Sequence, residues 1–340
     1  MLPIKLAPEK EVPVESIEEA QDFLESDFRV EYFQTSVEEI EIHEDGTVTS
    51  AGKCWHYTPT FLESLAKMIK MPLNYAHRID FDLFKTNFDR RKQQDCCGVK
   101  FCISRNTAIN VCKADYYPAR TADVIKGLPA KTKQWRLHGI HLGDRGIEIS
   151  WCDETVVVKP RPGDTILGGV RLSNSETGFR GLKVSLFTLR LACSNGAIIS
   201  DEQRVVRWSY DRRMTYTTNV EKFCKELELL EIPQTELAER YSRILDKPIS
   251  DREVVNLWRR IRRIMAPQRV DDILGIQSQE RIGLFERVRE HKDPFVSEDT
   301  NLNAYNIYNR VTAAAKDFSL ILRRRLEEIG GDLLWRVALN

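Results

Sequence analysis

Between Val99 and Tyr210 the apolar residues recur with a period of two, and tight-turn signals close the intervals between the alternating runs. Val99 to Val111 reads as a hairpin around Arg105-Asn106-Thr107, ended by Tyr116-Tyr117-Pro118, and Thr121 to Leu128 as a short helix. Strands are expected at 134–141, 146–158, 165–173 and 179–192. The turns between them are Gly143-Asp144-Arg145-Gly146, Pro160-Arg161-Pro162-Gly163-Asp164 and Asn174-Ser175-Glu176-Thr177-Gly178. Asn195-Gly196 is the strongest two-residue hairpin signal in the chain. Strands joined by such turns run antiparallel. Because alternating strand–helix units do not occur, a doubly wound nucleotide-binding fold is not expected.

The period changes on both sides of this block. Upstream, 15–26 reads as a helix with Ser16 as N-cap and Glu19 completing a capping box. Val37 to Ile42 reads as a strand, Thr58-Pro59 opens a helix through Lys70, and Leu73 to Phe88 is helical and irregular. From Asn219 to Asn340 the pattern is helical. One helix starts at Ser250-Asp251, Pro267 ends or kinks it, and 292–302 is a polar break. A last helix runs from Asn303 to Ile329 and is stopped by Gly330-Gly331. The chain is therefore expected to be α+β, an antiparallel β-rich centre with a helical C-terminal region. Its divisions are an acidic segment 1–50, an α+β core 51–215 and a helical part 216–340.

The charges are unevenly spread. Residues 1–46 hold fourteen acids and three Lys or Arg, a net of −11, so the remainder carries +11 in a chain whose formal net charge is zero. The acidic start is either a solvated surface or an arm that competes with nucleic acid for a basic groove. Over 249–265, Val254, Leu257, Trp258, Ile261, Ile264 and Met265 occupy one helical arc. Arg252, Arg259, Arg260, Arg262 and Arg263 fill the rest of the circumference. Guanidinium forks match phosphates, although such a face also suits water or an acidic protein surface. A second cluster joins Arg204, Arg207, Arg212 and Arg213 with Trp208, Tyr210 and Tyr216. Here Val206, Trp208 and Tyr210 share one strand face and Arg207 points the other way. Aromatics interleaved with arginine supply stacking and charge for a single strand, while an aromatic stripe on a strand equally serves a core.

Other chemistry finds little support. The eight cysteines include no C-x-x-C and read as structural thiols rather than zinc ligands or disulfides. His138 and His141, three apart on a strand, are expected on opposite faces, which makes a poor metal pair. No P-loop, G-x-S-x-G or H-E-x-x-H occurs, so no catalytic residue, metal or cofactor is expected. A nuclease with dispersed carboxylates stays open. No window approaches the ~18 apolar residues of a membrane helix. The start Met1-Leu2-Pro3-Ile4-Lys5 lacks the apolar core of a signal peptide, so a cytoplasmic protein without membrane contact is expected.

Phe187-Thr188-Leu189-Arg190-Leu191-Ala192-Cys193-Ser194-Asn195-Gly196-Ala197 resembles the R-x-x-C-S-N-G signature of the phage/plasmid-like protein family, a domain of unknown function found in prophages and conjugative plasmids. Met71 to Arg78, Cys112 to Tyr117, and Tyr305 to Thr312 with Gly330 to Leu334 are similar to further elements of it, so the resemblance spans about 55–335. Arg310 stands where the family carries a small residue. The resemblance implies a bacterial host cytoplasm and a role in mobile DNA. The combined expectation is a homo-oligomeric nucleic-acid-binding protein, for single-stranded DNA binding or annealing in recombination or replication. Arg259, Arg260, Arg262, Arg263, Arg207, Arg212 and Arg213 are its expected phosphate contacts, and Trp208 and Tyr210 its stacking residues. The alternatives are a metal-dependent nuclease of mobile DNA and a phage-encoded interaction or inhibitor protein.

Overall fold

The computed structural model describes residues 10–12, 16–26, 29–92, 98–128, 132, 135–143, 145–191, 195–198, 205–230, 234–290, 303–318 and 320–334. The expected polar break 292–302, Arg204, Cys96, Cys97 and Cys193 lie outside them. The fold is α+β, with two mostly antiparallel sheets followed by a helical region.

The smaller sheet has six strands: β2 (Glu31–Ser36), β3 (Glu41–Ile42), β4 (Thr47–Ser50), β5 (Lys53–Tyr57), β6 (Gly98–Ser104) and β7 (Thr107–Lys113), in the order β2-β6-β7-β5-β4-β3. Only the β5–β7 pairing is parallel within it. The β6–β7 hairpin turns at Arg105 and Asn106, both at positive φ (47° and 63°), as a type I′ turn requires. Helices α2 (Pro59–Met68), α3 (Leu73–Ala76) and α4 (Phe81–Lys92) accompany this sheet. Phe61, Leu65, Phe84 and Phe88 pack with Val48, Trp55, Phe101 and Val111 in one core. The strand expected over 37–42 is instead a 3-10 turn at Val37–Glu39 leading into β3. Val37, Ile40 and Ile42 are all fully buried: Ile40 and Ile42 alternate as in a strand, whereas the 3-10 turn sets Val37 three residues before Ile40.

The larger sheet has seven strands: β1 (Lys10–Val12), β8 (Arg136–Gly143), β9 (Gly146–Arg161), β10 (Asp164–Asn174), β11 (Lys183–Arg190), β12 (Asn195–Ile198) and β13 (Val205–Arg207). They run in the order β1-β8-β9-β10-β11-β12, and β13 pairs with the other half of the β11 edge. Helix α1 (Ile17–Ser26) packs Ile17, Ala20 and Leu24 into the main core, and Ser16 Oγ caps it by accepting from the Glu19 N–H at 3.1 Å. The acidic first 50 residues thus supply β1 to one sheet, β2, β3 and β4 to the other, and α1 to the core. Asn195-Gly196 does not form the hairpin turn. Asn195 pairs with Arg190 and Gly196 with Leu189, so both open the returning strand.

Cross-strand register gives this sheet two different faces. The row Ile140–Ile149–Leu172–Val184–Val206 is apolar and belongs to the main core with α1, α5 (Thr121–Lys126) and α6 (Tyr216–Glu228). The adjacent row, on the other face, is His141–Glu148–Ser173–Lys183–Arg207, followed by Ser150–Arg171–Ser185.

That polar face is closed by a charged helix. The remaining helices are α7 (Gln234–Ile244), α8 (Asp251–Arg262), α9 (Pro267–Leu274), α10 (Ser278–Glu290), α11 (Ala304–Ala314) and α12 (Leu320–Asp332). From α12, Glu327 pairs with Arg171, both almost fully buried. Arg171 also donates Nε–H to Ser150 Oγ at 3.0 Å and lies 4.1 Å over the Phe187 ring. Arg323 donates to Glu327 (3.1 Å) and bonds His141 Nε2 (3.2 Å). Glu148 takes Arg180 at 2.9 Å and Arg324 at 3.9 Å. A buried carboxylate held between guanidinium groups is the condition under which charge survives burial. Arg325, next in sequence, is exposed.

A β-bulge between Leu137 and Gly139 corrects the expectation for the histidines. Leu137 and Ile140 both enter the main core, so His138 and His141 lie together on the polar face rather than opposite one another. Burial, and then Arg323 and Arg171, hold the His141 imidazole down to about 3.

The expected long last helix is two helices, α11 and α12, separated by a 3-10 turn at Ala315–Asp317. Gly330-Gly331 does not stop the second. A Cβ on Gly330 would come within 2.6 Å of Thr312 Cγ2, so this glycine permits close packing of α12 on α11. Arg310 donates to the Leu274 carbonyl at 2.9 Å, satisfying one end group of α9 where Gly275 turns left-handed (φ 68°).

The two sheets meet at the 174–178 turn. Ser175, Glu176 and Thr177 are buried there, unusually for a connection. Asn110 Nδ2 donates to the Thr177 carbonyl, Tyr116 OH to Ser175 O (3.1 Å) and Tyr32 OH to Glu176 O (2.9 Å). Glu176 Oε1 accepts the Thr121 N–H at 2.8 Å, and burial pushes its carboxyl above the usual carboxylate range.

Candidate nucleic-acid interface

Beside this seam lies a cleft of about 630 Å³, walled by α2, β7 and the 115–117 segment on one side and by Gly178, Phe179 and 208–212 on the other. Its aromatic wall begins where β13 ends. Val206 pairs with Val184 and packs on the main core, and Arg207 pairs with Lys183 on the opposite face. The Trp208 N–H donates to Leu182 O at 2.9 Å, which carries the chain one residue beyond the strand. The Trp208 ring then meets Phe223 edge-on at 5.8 Å and lies 6.4 Å from Tyr210.

Tyr210 stacks on Tyr117, with ring centroids 4.8 Å apart and planes 10° from parallel. Tyr117 is 47% exposed. The Lys100 ammonium sits 4.6 Å over it and donates to Tyr116 O at 3.0 Å. Lys67 of α2, Lys113 of β7 and Arg212 also line the cleft. Burial raises the Tyr116 and Tyr216 phenols, so both stay protonated at neutral pH. Rings at an accessible surface with ammonium and guanidinium groups at the rim can stack a planar base and neutralise a phosphate.

Carboxylates of different exposure partner two of the arginines. Arg212 bonds Asp115 at 2.8 Å and holds that carboxyl below its ordinary range. Arg213 grips Asp211 with two donors at 3.0 and 2.9 Å, which lowers Asp211 to about 2. The solvated Arg212–Asp115 pair holds weakly enough for a phosphate to replace the carboxylate.

The expected site residues therefore separate into three groups. Trp208, Tyr210 and Arg212 come together in the cleft, with Arg213 next to them in the chain. Arg207 is on the other face of β13, beside Lys183. None of the α8 arginines lines the cleft. Helix α8 has the expected arc, with Val254, Leu257 and Ile261 buried and a reciprocal capping box between Ser250 and Glu253. However, much of its arginine face is engaged within the chain. Arg260 pairs with Asp332 at 2.6 Å, Arg259 lies 5.4 Å over Phe285, and Arg262 donates to Met265 O at 3.0 Å. Arg263 caps the helix and is exposed. In the signature region, Arg190 pairs with buried Asp164 at 2.5 Å.

Sequence reasoning missed Tyr117, Lys100, Lys67 and Lys113. Tyr116-Tyr117-Pro118 reads as the end of a hairpin, and its pairing with Tyr210, 93 positions later, has no local signature. Among the described residues, no group of three or more His, Cys, Asp or Glu comes together to hold a metal ion, and no helix is long and apolar enough to cross a membrane. No family model, curated protein or solved structure matches this chain.

Proposed function

We propose that this chain binds single-stranded nucleic acid in the inter-sheet cleft, as a phage- or plasmid-type protein of the bacterial cytoplasm that acts as a homo-oligomer on single-stranded DNA. The observation that carries the reading is the stacked Tyr117–Tyr210 pair, extended by Trp208, capped on Tyr117 by Lys100 and rimmed by Lys67, Lys113 and Arg212. Base–aromatic stacking contributes about 1–3 kcal/mol per base and tolerates any sequence, and the cations add a salt-dependent term. The likeness to the phage/plasmid-like family supports the same direction through its link with mobile DNA. The metal-dependent nuclease alternative gains no candidate residue set from the described residues.

The test is fluorescence anisotropy of a labelled oligothymidylate across a salt series. Tyr210→Ala is expected to weaken binding roughly 5- to 150-fold. Arg212→Ala should lower the salt slope by about one. Wild-type protein that binds no tighter than the Tyr117→Ala/Tyr210→Ala variant overturns the reading. An Arg259/Arg260/Arg263→Ala variant asks separately whether α8 contributes.

A further inference from the structure

We propose that Cys112, in the wall of the cleft, and Cys102, buried beside it, are a peroxide-responsive thiol pair that closes to a reversible disulfide. The two Sγ atoms are 3.8 Å apart. Cys102 is opposite Asn110 and Cys112 opposite Lys100 on the antiparallel β6–β7 pair, so the cysteines are diagonal neighbours on one face. Cys112 lines the cleft, whereas Cys102 is fully buried and packs in the main core. One thiol is therefore accessible to a small oxidant and the other is reached only through it.

The surroundings divide the chemistry between them. The Cys102 S–H donated to Cys112, helped by the Lys100 ammonium, holds the Cys112 thiol below its ordinary range. That same bond and burial push Cys102 well up. The Cys112 thiolate attacks one oxygen of a hydroperoxide. The O–O bond breaks, an S–O bond forms, and the departing oxygen leaves as water or alcohol after taking a proton. The Cys102 thiol then attacks the Cys112 sulfur. An S–S bond forms, the S–O bond breaks, and the leaving hydroxide takes the Cys102 proton to become water. Two electrons pass from the sulfurs to the peroxide, and two thiols with one hydroperoxide give one disulfide, one water and one alcohol or second water.

Closure draws the sulfurs from 3.8 Å to about 2.05 Å, which requires at least one of the two side chains to shift. A Cβ on Gly178 would lie 3.4 Å from Cys112 Cβ, so the turn joining the sheets rests against the group that moves. Diagonal strand neighbours bridge with strain, which makes a disulfide easy to reduce and suits a switch better than a structural link. Its effect on nucleic acid rests on the reading of the cleft; the modification itself does not.

The experiment treats the full chain with stoichiometric hydrogen peroxide, blocks residual thiols and maps peptides without reduction. The expected product is a Cys102–Cys112 linkage that dithiothreitol reverses. In Cys102→Ser, Cys112 should persist as a sulfenic acid trapped by dimedone. Oxidation that goes instead to Cys54, or to a disulfide lacking Cys112, overturns the proposal. Oxidised wild type should bind oligothymidylate roughly tenfold more weakly than reduced, about the loss of one stacked base. If the linkage forms but the reduced protein binds no DNA, the cleft reading fails and the thiol pair stands.

Discussion

Replacing Glu327 by Gln tests how α12 is held to the larger sheet. The Glu327 carboxylate is 1% exposed and lies between Arg171, 2% exposed, and Arg323. Glutamine keeps the shape and removes the charge, leaving Arg171 with Ser150 Oγ and the Phe187 ring as its remaining partners described here. Breaking a buried pair from one side costs about 3–5 kcal/mol, because the surviving ion keeps its desolvation penalty without its counterion. Against a usual total stability of about 5–15 kcal/mol, that is a third or more of a typical value. Thermal unfolding should drop by about 4–7 °C, with a matching fall in the urea midpoint by circular dichroism. The double variant Arg171→Met/Glu327→Leu should be less destabilised than Glu327→Gln, since it removes both desolvation costs together. The reasoning is refuted if Glu327→Gln unfolds within about 1 kcal/mol of wild type, or if the double variant costs the sum of the two singles.

Other outcomes follow from the same geometry. His141 has a depressed pKa, so below pH about 6.5 the unfolded chain takes up a proton that the folded one refuses. Its contribution should be present above that pH and lost as pH falls toward 3, and His141→Gln should flatten the acid limb of a stability–pH curve. Glu176 has the opposite sign: its raised carboxyl contributes most below the ordinary glutamate pKa and loses that contribution as pH rises through the folded value. Glu176→Gln, which can still accept the Thr121 N–H, should hold or raise the neutral-pH melting temperature. Gly169→Ala should fail to fold or melt far lower, because a Cβ there runs into the Trp151 carbonyl. Ser250→Ala removes the α8 cap and should cost about 1 kcal/mol in urea unfolding.

Much of the fold is legible where a local rule and the tertiary environment agree. Ser250 with Glu253 marks a helix start in the sequence and forms both capping bonds in the structure. The Arg105-Asn106 turn and the 136–190 strands follow from alternation and turn chemistry alone. Legibility ends where one residue type serves two purposes. Gly330-Gly331 has the look of a helix stop, yet Gly330 makes room for Thr312. His138 and His141 come to share one face through a bulge, because one extra residue shifts everything on one side of it. The seven-stranded sheet buries both faces, one apolar and one ionic. Alternation alone would assign the second face to solvent. In the candidate interface, Trp208, Tyr210 and Arg212 are visible from composition. Tyr117 and its lysines are not, since the pairing that joins them is made across the seam.

The pairing of β1 with β8 has a temporal consequence. Lys10, Glu11 and Val12 meet Leu142, His141 and Ile140, roughly 130 residues further along. On a ribosome adding about 5–20 residues each second, the first strand waits about 7 to 26 seconds for its partner, and its neighbours β2 and β3 have a different sheet to join. The N-terminal strand is thus fixed only after β8 exists, and until β1 docks β8 presents an open edge to any other chain. Residues 1–14 carry two lysines and two glutamates, charges of both signs that discourage this waiting segment from pairing elsewhere before its own site exists.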